Sequence, residues 1–362
     1  MKKLFLLAIP ILVLTLLTSC RPPELEGAFV DYNAGRYDNA LKLAKEATEK
    51  YPTNAEAWYL LGEIYGKKEM YSEMKHAFDK ALANNPTPDI QNKIKNATMY
   101  YFQNLFNRGV SNYNTYAKMQ DTASEEAKEQ LRKSTEYFKK ANIVKPDYKA
   151  VDLIAFAYSI LGEKDSAFVY YTKLTQEWPD SADAYVKLGR FYVVNQKFEE
   201  AIPLLEKALE LDPENADAIQ IIAEAYDFAG KTDKAIETYK KAMEINPEEK
   251  AFPFNLGRLY FQKVASGSID DSTKQQYLHE CAKAFGRVIE LDPSMKEAYD
   301  YKSNCELMAK DYEDALVTLK QATERFPDEG KFWYNLGVVY YNLKDTEKAQ
   351  EAIDKAKALG VE

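Results

Sequence analysis

Eight prolines recur at a nearly constant interval along this chain of 362 residues. Five of the seven intervals between them are 33 or 34 residues, and the other two, 60 and 46 residues, contain additional residues. The prolines are Pro52, Pro86, Pro146, Pro179, Pro213, Pro247, Pro293 and Pro327. A fixed period of this length indicates a repeat array. Because stacked repeats form an extended surface, the period predicts a binding role more directly than it predicts what is bound.

Each repeat has the hydrophobic pattern of two helices. When the proline is numbered as position 32, apolar residues fall at positions 4, 8 and 11 and again at 20, 24 and 27, which is the spacing of one helix face. Position 8 holds a small residue throughout: Ala28, Gly62, Gly109, Ala155, Gly189, Ala223, Gly257, Ser303 and Gly337. A small residue there lets the two helices of a pair approach closely.

Turn residues separate the predicted helices. The proline ends the second helix, because it lacks an N–H group and disfavours helical geometry in the residue before it. Gly35, Gly162 and Gly230 fall between the two helices, where a residue with positive φ commonly closes a helix. These signals predict repeated helix-turn-helix units.

The pattern resembles the tetratricopeptide repeat, and the second unit carries it most fully in Trp58, Leu61, Gly62, Tyr65, Phe78, Ala81 and Pro86. We count nine repeats, which start near residues 21, 55, 89, 148, 182, 216, 250, 296 and 330. The resemblance implies an all-α fold, a right-handed α-solenoid over residues 25–362. Glu24, Lys302 and Glu306 depart from the pattern, so the first helices of repeats one and eight are expected to pack less tightly.

Two repeats, the third and the seventh, contain insertions. Residues 122–125 and 272–275 each match a helix capping box just before the second helix of their repeat. We expect the inserted residues to lengthen helices and to form an edge that contacts a membrane-protein partner. A surface loop is the alternative, since lengthening a loop costs little free energy.

The first twenty residues have the pattern of an export signal. Lys2 and Lys3 precede an apolar run over residues 4–17, which is too short to span a membrane. Residues 17–20, Leu-Thr-Ser-Cys, resemble the lipobox of bacterial lipoproteins. That resemblance implies a signal peptide over residues 1–19, lipid attachment at Cys20 and a short tether over residues 20–24. An ordinary signal with a chance cysteine is the alternative.

The same resemblance implies a location. Arg21 stands where an aspartate would favour retention at the inner membrane, so we expect a lipid-anchored protein of the bacterial cell envelope, at the outer membrane and facing the periplasm. More than one acyl chain on Cys20 would make the membrane anchor stable.

Composition argues against nucleic-acid binding and catalysis. The chain has 48 basic and 57 acidic residues, whereas phosphate binding needs a basic surface. Its two histidines, His76 and His279, belong to no zinc, triad or phosphate-loop motif. We therefore expect no enzyme activity, no cofactor, no metal site and no nucleic-acid partner.

Two cysteines remain beyond the lipobox, Cys281 and Cys305. They could pair in an oxidising compartment. Cys281 also falls at a position where the repeat needs any small buried residue, and a free cysteine packs well in such a place. We expect two buried thiols.

The family resemblance also implies where a partner binds, because the first helices of tetratricopeptide repeats line a concave groove. Positions 2, 5, 9, 12 and 13 carried over to this chain give aromatic and basic groove residues: Phe156, Arg190, Phe228, Phe254, Arg258, Phe261, Tyr334 and Tyr341. Exposed aromatic side chains beside arginine are typical of peptide-binding hot spots. The alternative is that these rings pack between repeats and extend the core.

Three functional hypotheses follow. The first is a non-catalytic envelope lipoprotein that scaffolds the assembly of an envelope machine and binds peptide or helix segments of partner proteins in the groove. The second is a lipoprotein that captures glycans or another ligand for a transporter, although its aromatic residues would then be expected on loops. The third is an enzyme of cell-wall metabolism, which the missing catalytic motifs disfavour.

Overall fold

The computed structural model describes residues 21–267 and 269–361, and these residues form eighteen α-helices and no strands. The predicted signal peptide and Cys20 lie outside the described residues. The chain divides into two compact units, residues 1–170 and 171–362.

The first unit contains seven complete helices. They are α1 (Pro23–Asn33), α2 (Tyr37–Lys50), α3 (Ala55–Lys67), α4 (Tyr71–Ala83), α5 (Pro88–Ala117), α6 (Glu125–Val144) and α7 (Tyr148–Leu161). The pairs α1–α2, α3–α4 and α5–α6 pack as hairpins, and α1 also contacts α3, as α3 contacts α5. The boundary between the units falls within α8 (Lys164–Glu177).

The second unit contains ten complete helices: α9 (Ala182–Val194), α10 (Phe198–Leu211), α11 (Ala216–Phe228), α12 (Thr232–Ile245), α13 (Ala251–Ala265), α14 (Asp271–Leu291), α15 (Lys296–Ala309), α16 (Tyr312–Arg325), α17 (Gly330–Asn342) and α18 (Thr346–Ala358). Every pair of consecutive helices from α9 to α18 packs together. The predicted paired-helix repeat is confirmed in both units.

The small residue at position 8 packs against the large residue at position 24 of the same repeat. A methyl group on Gly62 would lie 2.4 Å from the Phe78 ring, and one on Gly257 would lie 2.7 Å from the Phe285 ring. Carbon atoms do not approach that closely, so the first helix needs glycine at these crossings. The second helix fills the space with its largest buried side chain, and Phe285 has no exposed surface.

The turn between paired helices has a left-handed residue at position 15. Gly35, Gly162 and Gly230 have φ values of 71°, 74° and 71°, which confirms the predicted positive φ. Four other repeats place Glu69, Gln196, Lys310 and Lys344 in the same conformation without glycine. The tertiary packing of the hairpin therefore fixes this turn even where the residue type disfavours it.

The insertions lengthen helices, as predicted. Helix α5 has 30 residues, α6 has 20 and α14 has 21, compared with 11 to 15 in the other helices. The capping residues differ from the predicted ones: the side chain of Ser124 caps α6, and that of Asp270 caps α14.

The tether predicted over residues 20–24 is too long, because α1 already begins at Pro23. Proline is favoured in the first helical turn, where its missing N–H would have no helical partner. Glu24 therefore belongs to the helix, and its carboxylate accepts a hydrogen bond from Lys50 of α2.

The prediction of two free thiols is wrong, because Cys281 and Cys305 form a disulfide. The repeat frame identified Cys281 as a small buried residue, and both cysteines are fully buried. It did not show that α14 and α15 pack together with these two residues facing each other, at a Cα–Cα distance of 6.3 Å. The bond joins the second helix of repeat seven to the first helix of repeat eight.

Two glycines of the seventh repeat make a matched test of the close crossing. We expect Gly257→Ala to lower the free energy of unfolding by about 1 to 3 kcal/mol, because its methyl group collides with the Phe285 ring. We expect Gly286→Ala to raise it by up to about 1 kcal/mol, because its methyl group has room and alanine favours helix. Denaturant unfolding of the two variants measures both effects, and equal shifts would contradict the steric account.

Candidate functional site

The first helices of the second unit are linked side by side by ion pairs. Arg190 of α9 lies 3.3 Å from Asp217 of α11, and Lys331 of α17 lies 2.7 Å from Asp300 of α15. Arg258 of α13 donates a hydrogen bond to Asp227 of α11. Each pair connects neighbouring repeats, and between α13 and α15 the rings of Phe254 and Phe261 contact Tyr301.

Three of the aromatic residues predicted to bind a partner are exposed on these first helices. Phe228 is 66% exposed, Tyr334 is 43% exposed and Tyr341 is 70% exposed. The ring of Phe228 stacks on Phe198 at a centroid distance of 5.0 Å, so one of its faces is already covered. Stacking holds this ring in place and leaves its other face free for a partner.

Two other predicted residues, Phe254 and Phe261, pack into the core of the second unit. Both rings lie edge-on to Tyr301 of α15, at centroid distances of 6.2 Å and 5.5 Å, and Phe254 also contacts Phe285. The alternative that groove aromatics extend the core is therefore correct for these two. Both rings are half-buried and pack against this core.

The two predicted arginines are not free positive charges. Arg190 and Arg258 pair with Asp217 and Asp227, as described above. Over positions 2, 5, 9, 12 and 13 of α9 to α17, acidic residues outnumber basic ones. The acidic residues are Asp183, Asp217, Glu224, Asp227, Glu297 and Asp300, and the basic residues are Arg190, Arg258 and Lys331. These groove positions therefore carry an excess of acidic residues.

Sequence reasoning missed two exposed apolar residues on the first helices of the second unit. Val194 is 75% exposed and Met308 is 42% exposed, and both occupy position 13, as Phe228 does. Position 13 was the signal that could have identified both residues, but the sequence prediction considered only aromatic and basic residues at the groove positions. We call the set Val194, Phe228, Met308, Tyr334 and Tyr341 the first-helix face.

The first unit has its own exposed and half-buried aromatic residues. Phe156, the one predicted residue in this unit, is 43% exposed on α7, near Ile160 at 39%. On α3, the Glu63 carboxylate accepts a hydrogen bond of 3.0 Å from the hydroxyl of Tyr32, and burial raises the pKa of Glu63. Burial, together with the charge of Glu63, also raises the pKa of Tyr59 to about 12. The sequence prediction missed this cluster.

The described residues contain neither a metal-binding group nor a membrane-spanning helix. No group of three or more histidine, cysteine, aspartate or glutamate side chains within residues 21–267 and 269–361 is arranged to hold a metal ion. Over the same residues, no helix is both long enough and apolar enough to cross a membrane.

A pair of alanine variants tests the division between exposed and packed rings. We expect Phe254→Ala to lower the free energy of unfolding by about 2 to 3 kcal/mol, because it removes ring contacts from the core. Phe228→Ala should lower it by less than about 1 kcal/mol, since that ring is mostly exposed. Denaturant unfolding compares the two, and a larger loss in Phe228→Ala would contradict the assignment.

Comparison with known proteins identifies the repeat. Sequence profiles described as tetratricopeptide repeat match residues 32–95, 161–216, 195–252 and 306–360, which together span more than half of the chain. Among solved structures, YrrB, "a TPR protein with an unusual peptide-binding site", is 24% identical over 52% of this chain and 92% of its own, with a TM-score of 0.43. MamA from Desulfovibrio magneticus RS-1 is 21% identical over 52% of this chain and 97% of its own, with a TM-score of 0.40. The chain belongs to the tetratricopeptide repeat family.

Proposed function

We propose that this protein is a non-catalytic interaction scaffold that binds a segment of a partner protein on its first-helix face. The observation that carries the proposal is the set of exposed apolar side chains of the first-helix face, which lie on four first helices, α9, α11, α15 and α17. Scattered single apolar residues on a surface are ordinary, but exposed apolar residues that recur at position 13 of three repeats are typical of an interaction surface.

The chemistry of the partner follows from the charges around these apolar side chains. Because the arginines are already paired with aspartates and the acidic residues are in excess, a segment with apolar anchors and flanking lysine or arginine would complement the surface. An extended peptide or an amphipathic helix could supply both.

Glycan capture for a transporter has less support. Sugar rings stack on exposed aromatic faces, whereas the exposed rings here lie on helices and Phe228 has one face covered by Phe198. Protein binding therefore remains the proposed function, and crosslinking can distinguish it from glycan capture.

Crosslinking in living cells tests the proposed surface. A photoreactive residue at Phe228 or Tyr341 should capture the same partner protein, and the same residue at the exposed Lys241 of the second helix α12 should not. Phe228→Ala should weaken binding of that partner about 30-fold, which is typical of the loss of an aromatic anchor. Equal capture from Lys241, or capture of glycan without protein, would contradict the proposal.

We further propose that the protein is a lipoprotein of the bacterial envelope, held at the outer membrane through Cys20 and engaged in assembling an envelope machine. The lipobox-like residues 17–20 support the anchor. The disulfide between Cys281 and Cys305 supports export, since such bonds persist mainly in oxidising compartments.

The anchor can be tested by metabolic labelling. Cells fed an alkyne-tagged fatty acid should label the wild-type protein and leave Cys20→Ser unlabelled, and the variant should move from the membrane fraction to the soluble fraction. Ser72→Ala is the control, because it changes an exposed residue of α4 far from the lipobox and should label normally. Labelling of Cys20→Ser would exclude Cys20 as the attachment site.

A further inference from the structure

The second unit contains a cavity of about 970 Å³ that the proposed function does not use. It lies among helices α12 to α16, and its apolar wall includes Met243, Leu256 and Val317. Lys302 and Glu306 of α15 also line it. This volume is at the upper end of the range of small-molecule sites.

The cavity exists because three residues break the repeat pattern at one place. Position 7 holds Leu61, Leu188, Leu256 and Leu336 in other repeats, but Lys302 in the eighth. Position 11 holds Tyr65, Tyr158, Tyr192, Tyr226, Tyr260 and Tyr340, but Glu306 in the eighth. The eighth repeat therefore lacks the tyrosine that six other repeats have at position 11, and its first helix departs from the pattern as the sequence indicated.

The third departure is Gly286 on α14. The other repeats have larger side chains at this position: Lys45, Asp79, Lys139, Thr172, Glu206, Lys240, Lys320 and Asp354. Glycine is unfavourable inside a helix, and here no close packing requires it, since a methyl group would meet only the Lys302 side chain, at 3.4 Å. The effect of the glycine is to leave the cavity uncovered.

Glu306 is a buried charge with an incomplete set of partners. Its side chain is 5% exposed, and one carboxylate oxygen accepts a hydrogen bond of 2.6 Å from Lys302. The other oxygen, Oε2, is buried and has no hydrogen-bond partner among the residues that the structure describes. A buried acceptor without a donor is costly, so a donor entering the cavity would be bound favourably.

A second carboxylate adds to the local negative charge. Asp314 of α16 also lines the cavity, and burial and this neighbouring charge both raise the pKa of Glu306. Lys302 is held by Glu306 and by the Thr318 hydroxyl, at 2.5 Å. Across the whole lining, six carboxylates face four lysine or arginine side chains. The cavity can therefore accommodate a ligand that carries an additional positive charge.

We propose that this cavity binds an organic cation, a primary ammonium or guanidinium group carried on an apolar stem. The charged head would donate to Glu306 and lie beside Asp314, and the stem would contact Met243, Leu256 and Val317. Such a group could come from a free polyamine or from a lysine or arginine side chain of a partner protein.

Calorimetric titration of the full chain tests the proposal with three probes. These are spermidine, N-acetyl-arginine amide, and N-acetyl-citrulline amide, which has nearly the shape of the arginine probe without its charge. We expect saturable binding of at least one cation and at least about tenfold weaker binding of the citrulline probe, because a charge-assisted hydrogen bond is lost.

Two cavity variants and one control locate the site. Glu306→Gln keeps the side-chain shape and should weaken cation binding about tenfold or more. Gly286→Leu should cover the cavity and abolish binding while thermal stability is kept or raised, so it remains informative if Glu306→Gln does not fold. Glu324→Gln, at an exposed position of α16 that does not line the cavity, should bind as the wild type does.

The titrations show whether the cavity binds organic cations and which kind of ligand it prefers. Binding of spermidine alone supports a free amine as the ligand, and binding of the arginine probe as well supports a basic side chain of a partner. The proposal is overturned if no cation saturates the protein below about 10 mM, if citrulline binds as well as arginine, or if Gly286→Leu binds as the wild type does. None of these results depends on the first-helix face, so the proposed scaffold function is tested separately.

Discussion

The close crossing between position 8 and position 24 determines how every repeat is built. At Gly62, Gly189 and Gly257 a methyl group would lie less than 3 Å from a side chain of the paired helix. The second helix can then bury a large residue such as Phe78 or Phe285 directly against the first helix backbone. With that side occupied, the opposite side of each first helix is left to face neighbouring repeats and the solvent.

The sequence was sufficient to predict the structural features that recur from repeat to repeat. Small residues at position 8, left-handed turns at position 15 and prolines at position 32 are local signals, and the structure has the corresponding crossings, turns and helix ends. Exposure was harder to predict, because it depends on the neighbouring repeat: Tyr301 packs against Phe254 and Phe261, whereas Phe198 covers only one face of Phe228, which is 66% exposed. The disulfide was missed for the same reason, since it joins two repeats.

Departures from the repeat pattern have local consequences in an array, because each repeat contacts mainly its neighbours. Lys302 and Glu306 replace two apolar core residues of the eighth repeat, and a buried ion pair is usually no more stable than the apolar packing it replaces. The neighbouring helices α14 and α16 nevertheless keep their regular form. One repeat of a stacked fold can therefore have a polar interior while the helices of the neighbouring repeats stay formed.

The bond between Cys281 and Cys305 has a mechanical consequence. A stack of helices attached to a surface at one end and to a moving partner at the other would be pulled apart one hairpin after another. The disulfide closes a segment with a sequence separation of 24 residues, which would shorten the fully extended polypeptide by about 80 Å at roughly 3.3 to 3.6 Å per residue. Under tension, the seventh and eighth repeats would stay tied together after their helices had unravelled.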